Sequence, residues 1–481
     1  MKEHKKKVIW FAVSSQPVFR NFFLLPGSVW DMIKKGERGS DEARWIFMAP
    51  ENLRKKYAGF FDGIPPERAV LTSVLVAPPR GFFQRAFRFF YSYLVYTSTT
   101  RLLATMGTRP DEMPAGHRLL APVKRLISVV FGRSRLMRER CIPFLFSRVF
   151  PERPFAPLFD EYPPDLVFVP NLYGWFDTML CRETRERGTK SVGMTASWDH
   201  IDKYFIPFRT DEFLAQNAHI KKAAAALQGY ESEAIRIVGY PYFDFLYEFA
   251  KHPDRAGLVR ALGFPEDARY ILYISGSVYC PDEPEVIERM LSWMDGGRFA
   301  GDVRLVIRPY LGGRFKDRDF DEKKFAAFAS HPRVVMYGRE SWVDLESTVF
   351  LLRLMRHADV VVSAFSTAAL EVALFDRPMI AADFDGSRIR PYHRSVRRFE
   401  QFTHFQEVFG TGALRRAQSF EELFRFLDEY LADPARDRDG RASLRKTLCA
   451  DPDGTSGERV LNILVSQTVD MRRTVSGLRV C

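Results

Sequence analysis

Short apolar runs alternate with segments of helical periodicity through most of this sequence, and this alternation limits the fold more than any other feature. The pattern is typical of parallel strands joined by crossover helices, so it predicts an α/β fold with doubly wound sheets. The predicted strands are Ile9–Val13, Trp45–Met48, Val70–Leu75, Leu166–Val169, Ser191–Met194, Phe213–Ala215, Ile235–Val238, Tyr270–Ile274, Val303–Ile307, Val334–Met336, Val360–Ser363 and Met379–Ala382.

The chain has 481 residues, which is more than one hydrophobic core usually organises, so two domains are expected. A polar stretch between residues 250 and 269 separates the two series of strands and predicts the boundary. We therefore expect an N-terminal domain at 1–255, a C-terminal domain at 256–465 and a tail at 466–481.

An aromatic and basic segment interrupts the first series between about residues 80 and 150, and it predicts a helical insertion. Phenylalanine, tyrosine and leucine alternate there with arginine and lysine, as in helices that lie in a membrane interface. An ordinary buried helical insertion has a similar pattern. Both interpretations stay open at this stage.

The net charge of +11 predicts an anionic partner. Zinc-finger spacing, an RNP-like strand and a helix-turn-helix signal are absent from the sequence, so a phosphorylated substrate or an anionic membrane is favoured over nucleic acid. The five cysteines are scattered without a CxxC pair, which argues against a disulfide framework or a zinc site. We expect a cytoplasmic protein, with peripheral contact to the inner face of the cell membrane under the interface interpretation.

The stretch His357–Gly386 carries the clearest chemical signal. An apolar strand runs into the small, hydroxyl-rich turn Ser363–Thr367, where a helix is predicted to begin. Main-chain N–H groups and the helix dipole at such a start bind phosphate. Glu371, one turn later, is placed to accept hydrogen bonds from ribose hydroxyls.

The same stretch, with Leu370-Glu371 and then Arg377-Pro378-Met379-Ile380, resembles the nucleotide-binding element of GT-B glycosyltransferases. The nearest likeness is to bacterial surface-polymer transferases of the CDP-glycerol glycerophosphotransferase type, and the late segment Asp451–Leu464 is similar to the ending of that family. The resemblance implies two Rossmann-like domains facing across a cleft, with the nucleotide donor bound by the C-terminal one.

The resemblance also implies roles for single residues. Arg308 follows a strand where the family often reads Arg-Pro-His, although Tyr310 replaces the histidine here. In the segment Thr195–Tyr204, Trp198 and Lys203 match the family pattern, and Asp199 occupies its histidine position.

An inverting transfer needs a base, so Asp199 and His200 are the predicted catalytic residues. The alternative is that Asp199 caps a helix beginning at His200. Arg20, which follows the first strand, is expected either to face the cleft or to be a turn residue. The predicted donor-binding residues are Arg308, Ser363, Ser366, Thr367, Glu371, Lys203 and Arg20.

Asp383-Phe384-Asp385 has the Asp-x-Asp form that holds a divalent ion in some transferases. We interpret Asp383 as a strand-end residue and expect neither a metal nor another cofactor, because Arg308 and the helix dipole can neutralise a leaving diphosphate.

Three functions remain open. The first is transfer of a sugar or polyol phosphate from a nucleotide-sugar or nucleotide-polyol donor to a lipid-linked or polysaccharide acceptor. The second is non-hydrolysing epimerisation of a UDP-sugar at carbon 2. The third is a catalytically silent nucleotide-sugar-binding module.

Overall fold

The computed structural model describes residues 6–106, 120–252, 254–310, 315–338 and 344–476. The chain folds into two compact units. The first consists of Met1–Thr100, Val123–Phe245 and Pro452–Cys481, and the second of Arg101–Pro122 and Leu246–Asp451.

Among the described residues, the first unit contains a seven-stranded parallel sheet in the order β3-β2-β1-β4-β5-β6-β7. Because the order reverses between β1 and β4, their carboxyl ends border a crevice of the kind in which α/β proteins bind ligands. The strands are β1 Lys7–Ala12, β2 Ala43–Pro50, β3 Ala69–Val74, β4 Leu166–Val169, β5 Lys190–Met194, β6 Glu212–Ala215 and β7 Ile235–Ile237.

The core of the first unit is strongly aromatic on one face of its sheet. Phe11 in β1 lies 4.9 Å, centroid to centroid, from Phe168 in β4 and contacts Phe22, Phe23 and Phe47. These rings are buried. Large buried rings contribute most of the apolar area that stabilises such a layer, so this cluster fixes the central strands.

The second unit has a six-stranded parallel sheet, within the described ranges, in the order β10-β9-β8-β11-β12-β13. This is the order of a dinucleotide-binding fold, and its reversal lies between β8 and β11. The strands are β8 Arg269–Ile274, β9 Val303–Arg308, β10 Val334–Met336, β11 Val360–Ser363, β12 Met379–Ala382 and β13 Leu414–Ala417.

The structure confirms the twelve predicted strands to within a few residues, but sequence analysis missed β13. This edge strand reads LRRA, so it lacks the apolar run of a central strand. Arg415 bonds to Asp437 at 2.6 Å and Arg416 to Asp383 at 3.0 Å. The strand is therefore held by ion pairs of its two arginines as well as by the buried Ala417.

Helices connect the strands, and those between β3 and β4 occupy the predicted insertion. None of the helices in the described ranges combines the length and apolarity needed to span a bilayer. The α-helices are Gln16–Phe19, Val29–Lys35, Glu51–Tyr57, Phe82–Ser92, Ser98–Thr105, Ala121–Val130, Ile142–Val149, Ala156–Glu161, Trp175–Glu186, Ala218–Ala223, Pro241–Phe249, Arg255–Ala261, Glu283–Asp295, Phe315–Phe325, Leu345–His357, Ala369–Leu374, Thr403–Gly410, Phe420–Ala432, Arg438–Thr447 and Ser456–Ser476.

The end of the chain differs from the expected boundaries, because the helix Ser456–Ser476 belongs to the first unit instead of the C-terminal domain and a tail. The Asp244 carboxylate accepts hydrogen bonds from the main-chain amides of Ser456 at 3.0 Å and Gly457 at 2.6 Å. Arg459 donates to the Val238 carbonyl at 2.8 Å. Local sequence cannot reveal a cap supplied by a residue more than 200 positions away.

Gly440 provides a test of packing in the second unit. A Cβ added there would lie 2.2 Å from the Gly412 carbonyl oxygen, which is main chain and cannot rotate away. We expect Gly440→Ala to lower the free energy of unfolding by about 1–3 kcal/mol, as overpacked sites do. Chemical denaturation measures this.

Gly410→Ala is the matched control, because an added Cβ at Gly410 has open space around it. We expect that variant to be as stable as the parent protein or slightly more stable. Equal stability of the two variants would contradict the close approach at Gly440.

Candidate functional site

Two strands of the second sheet meet where the strand order reverses. The Ser363 hydroxyl, at the end of β11, donates to the Ile274 carbonyl at the end of β8, at 2.8 Å. Ser363 is 1% exposed. Its hydroxyl is therefore already used within the fold, and a direct contact between Ser363 and a donor stays a prediction.

The turn after β11 is open to solvent. Ser366 is half-buried and Thr367 exposed. Their main-chain amides make no hydrogen bond to any residue in the described ranges. Free amides in an accessible turn can bind an anion.

The helix after this turn differs from the expectation. It spans only Ala369–Leu374, its N-cap is Ala368, and no side chain caps it. The Ser366 hydroxyl instead accepts a hydrogen bond from the Ala368 amide at 3.2 Å. Because this helix is short, its dipole is small. Binding of an anion would therefore depend on the free amides and on nearby cations.

Arg308 is the last residue of β9, and it is the cation of this candidate site. Its side chain is 6% exposed, and within the described part of the chain its Nε has no hydrogen-bond partner. Burial lowers the pKa of Arg308, while the nearby charges of Tyr310 and Glu371 act in the opposite direction. The Glu371 charge therefore influences the Arg308 guanidinium electrostatically, and binding of a donor by either residue stays a prediction.

The loop after β8 forms a part of this site that sequence analysis missed. Glu283 accepts from the Gly276 amide at 2.7 Å and pairs with Lys324 at 2.6 Å. Lys324 also donates to the Ser275 hydroxyl at 3.1 Å, and the charged pair is almost fully buried. This buried pair fixes the Ser275–Ser277 loop, and the Ser-Gly-Ser triplet after a strong strand was the available signal.

In the first unit, the loop after β5 contains both predicted catalytic residues. Asp199 is buried, and its two carboxylate oxygens accept hydrogen bonds from Ser197 and Lys203. Burial alone would lower the pKa of Lys203, but the Asp199 charge, the hydrogen bond to Asp199 and the Asp202 charge together outweigh burial and raise that pKa. No helix begins at His200, so the alternative that Asp199 is a helix cap is wrong.

His200 is better placed to accept a proton. Its Nδ1 is buried without a partner among the described residues, and its Nε2 lies 4.0 Å from Asp199 Oδ1. Burial is the main cause that lowers the pKa of His200, so the ring is neutral at pH 7. The ring packs edge-on against Tyr173, with centroids 5.5 Å apart.

Asp177 lies at the reversal of the first sheet, and sequence analysis missed it. It stands in the first turn of the helix after β4, it is fully buried, and its Oδ1 has no partner in the described ranges. The Ser14 hydroxyl, after β1, is close enough to influence this carboxyl but makes no hydrogen bond with it. Burial raises the pKa of Asp177 to about 7.

Arg20 follows β1, and its neighbour Asn21 contacts the loop after β5 that contains Asp199 and His200. Its guanidinium lies 4.2 Å from the ring centroid of Tyr242, and its Nε donates to Asn21 at 3.2 Å. Asn21 donates to the Ala196 carbonyl at 2.9 Å, which joins the segments after β1 and β5. A contact between Arg20 and a donor stays a prediction.

The structure thus divides the predicted site residues into two sets. The second unit holds Arg308, Ser363, Ser366, Thr367 and Glu371. The first holds Asp199, His200, Lys203 and Arg20.

The Asp-x-Asp sequence is engaged in an ion pair. Asp383 pairs with Arg416, and burial raises the pKa of its carboxyl to about 6. Among the described residues, no group of three or more histidine, cysteine, aspartate or glutamate side chains is arranged to hold a metal ion.

Comparisons with known proteins were made for sequence and for structure. Residues 322–466 match the sequence profile of the family described as CDP-Glycerol:Poly(glycerophosphate) glycerophosphotransferase. No protein of curated function matches the sequence.

Solved structures are similar over almost the whole chain. A protein described as a UDP-N-acetylglucosamine 2-epimerase from Listeria monocytogenes is 13% identical, with a TM-score of 0.53 and 95% of each chain covered. The UDP-GlcNAc 2-epimerase of Methanocaldococcus jannaschii is 12% identical, with a TM-score of 0.52 over 96% of this chain and 99% of that one. The wall teichoic acid polymerase TagF is 7% identical, with a TM-score of 0.50 over 97% of this chain and 90% of that one.

These likenesses confirm the GT-B fold type, with two Rossmann-like units. The family match confirms the resemblance to the glycerophosphotransferases and covers most of the second unit's site, from β10 onward.

Asp177→Asn tests the environment of the buried carboxyl. A pKa of about 7 in the folded protein, against 3.8 ordinarily, means that the folded state binds more protons between about pH 4 and 7. Stability should therefore fall as pH rises through this window, by about 2.5 kcal/mol between pH 5 and pH 8 from this group alone. The neutral amide of the variant should abolish that contribution.

Denaturant unfolding of both proteins at pH 5 and pH 8 measures the difference, because other titrating groups are common to both. Identical pH dependence in the two proteins would show that Asp177 is ionised in the folded state.

Proposed function

We propose that this protein is a transferase that moves a group from a nucleotide-activated donor to a lipid-linked or polysaccharide acceptor in cell-surface polymer synthesis. The observation that carries the proposal is Arg308, a buried cation at the carboxyl edge of a dinucleotide-type sheet. Its Nε has no hydrogen-bond partner among the described residues, and the Glu371 charge acts on it. The match of residues 322–466 to a glycerophosphotransferase family supports it.

In this proposal the second unit binds the donor. The amides of Ser366 and Thr367 and the guanidinium of Arg308 hold the diphosphate, because charge-assisted hydrogen bonds suit phosphate oxygens. Glu371 accepts hydrogen bonds from the ribose hydroxyls. Arg308 also stabilises the charge that develops on the leaving group, so the reaction needs no metal ion. The leaving group is a nucleoside diphosphate when a sugar is transferred and a nucleoside monophosphate when a polyol phosphate is transferred.

The first unit supplies the base. A neutral His200, whose Nδ1 has no hydrogen-bond partner in the part of the chain that the structure describes, can accept the proton of an acceptor hydroxyl. Asp199 and Lys203 neutralise each other and hold the loop that carries His200. Asp199 is therefore a positioning residue in this account.

A 2-epimerase of UDP-sugars is the second candidate, because the first unit contains two groups that can carry protons: Asp177, whose pKa burial raises to about 7, and His200, whose pKa burial lowers. Such an enzyme would convert UDP-GlcNAc with no acceptor present, which proton NMR detects. Conversion without an acceptor would favour this candidate, and its absence together with transfer activity would exclude it.

The roles of Glu371 and His200 can be separated. We expect Glu371→Ala to weaken binding of the preferred nucleotide among UDP, CDP and GDP by roughly 10- to 100-fold, the effect of a lost hydrogen bond to a charged group. His200→Gln should retain binding and lower turnover by roughly 10²- to 10⁴-fold. Thermal protection and steady-state turnover measure the two effects.

Glu288→Ala is the control, because Glu288 is exposed on another helix of the second unit. Absence of protection by every nucleotide in the parent protein would reject both enzyme candidates. Equal loss of binding in the Glu371 and His200 variants would reject the division of roles.

We further propose that the helices after β3 contact an anionic membrane surface, as a lipid-linked acceptor requires. Apolar side chains there are unusually exposed: Phe82 at 74%, Phe83 at 81% and Leu126 at 60%. Arg85, Arg88 and Arg125 belong to the same helices. Exposed apolar groups flanked by cations suit a bilayer interface.

Flotation with vesicles tests this contact. The protein should float with vesicles containing phosphatidylglycerol at low salt and be released as salt rises, because electrostatic attraction is screened. Phe82→Ser with Phe83→Ser should reduce flotation, while Ile389→Ser, which removes a fully exposed apolar residue elsewhere, should not. Failure to float at low salt would contradict the membrane proposal.

A further inference from the structure

A cavity lined by five arginines lies in the first unit, away from the crevice described above. Its volume is about 290 Å³, and an adjoining cavity of about 780 Å³ shares part of its lining. The adjoining cavity is also lined by Lys190 and Ser191, which begin β5, and by Asp211, which precedes β6. The amino ends of these strands therefore form this edge, whereas His200 follows the carboxyl end of β5. The arginines are Arg133, Arg135, Arg138, Arg185 and Arg209.

Two of the arginines are held in place by the main chain. Arg138 donates to the Leu227 carbonyl and Arg209 to the Gly229 carbonyl, both at the end of a helical segment. Burial lowers the pKa of Arg138, and the adjacent charge of Arg209 lowers it further. The two guanidinium groups therefore repel each other, and an anion between them would relieve the repulsion.

Carboxylates compensate only part of the charge. Arg135 bonds to Glu139 and to Glu231, each at 3.0 Å, and Arg209 lies 3.2 Å from Glu139. Glu139 and Glu231 are the acidic residues of the 290 Å³ lining, against five arginines. The side chains of Arg133 and Arg185 make no hydrogen bond or ion pair with any residue in the described ranges.

The chemistry of this lining suits phosphate. Guanidinium groups bind phosphate oxygens in pairs of parallel hydrogen bonds, and several arginines around one concavity favour a doubly charged anion. A volume of 290 Å³ is about ten times the roughly 30 Å³ that one water occupies in the liquid, so a substituent on the phosphate can be accommodated.

We propose that this arginine pocket binds a phosphate ester, at a site separate from the donor crevice. The ester is carried either by a soluble molecule or by the head group of a lipid, and the pocket recognises the phosphate in both. Arg133 and Arg185 supply uncommitted hydrogen-bond donors, while Arg138 and Arg209 are already oriented by main-chain carbonyls. This inference does not depend on the proposed transferase activity.

Calorimetric titration with glycerol 3-phosphate tests the proposal on the full-length protein. The double variant Arg133→Gln with Arg185→Gln should lose at least tenfold in affinity. Arg54→Gln with Lys55→Gln removes two exposed charges from another helix of the same unit and should bind as the parent protein does. Arg308→Gln should also leave this binding unchanged, while it weakens nucleotide binding.

Vesicles containing phosphatidic acid, which is a phosphate monoester like glycerol 3-phosphate, form the second arm. If the parent protein binds glycerol 3-phosphate and the Arg133 and Arg185 variant does not, the ligand is a soluble ester. Vesicle binding lost in that variant, without binding of soluble ester, identifies a lipid head group. Binding of neither probe by the parent protein, or equal binding by the pocket and control variants, overturns the proposal. Failure of nucleotide binding alone would reject the transferase and leave this site intact.

Discussion

A buried guanidinium without a full set of partners is the constraint on which this account of the second unit depends. Removing a charged group from water is costly unless hydrogen bonds and an opposite charge compensate it. Arg308 is 6% exposed and its Nε is unpartnered among the described residues. Such a group persists in a fold when a ligand completes its environment, and the free amides of the nearby turn would contact the same ligand.

The surroundings of Arg308 are built to be rigid. The buried pair of Glu283 and Lys324 fixes the loop after β8, and the Ser363 hydroxyl fixes the end of β11 against β8. These contacts use polar groups that would otherwise be buried unsatisfied. The main-chain amides of Ser366 and Thr367 make no hydrogen bond among the described residues, as an anion-binding turn requires.

The two sheets use one topology for different chemistry. Each reverses its strand order beside its first strand, so each has a crevice at the carboxyl edge. The crevice of the second sheet has a buried cation, Arg308. The first unit instead has the Asp177 carboxyl, whose pKa is raised to about 7, and the His200 imidazole, whose pKa is lowered. This contrast supports donor binding by one unit and proton transfer by the other.

Much of the fold could be predicted because central parallel strands are apolar runs, and Leu166–Val169 and Val360–Ser363 match the prediction residue for residue. The edge strand β13 could not be predicted, because two of its four residues are arginines that form ion pairs and the strand has no apolar run. At the site, sequence placed Arg308 and Glu371 together but could not show that Asp199 is paired with Lys203. Asp177 escaped notice because its unusual protonation arises from burial, which depends on the whole unit.

The most direct test of the central claim is a crystal structure with the nucleotide that protects the protein best, together with its affinity for the Arg308→Gln variant. The account predicts that the diphosphate lies within hydrogen-bonding distance of the Arg308 guanidinium and the amides of Ser366 and Thr367, and that the variant binds at least tenfold more weakly. A nucleotide bound elsewhere, or unchanged affinity in the variant, would contradict it.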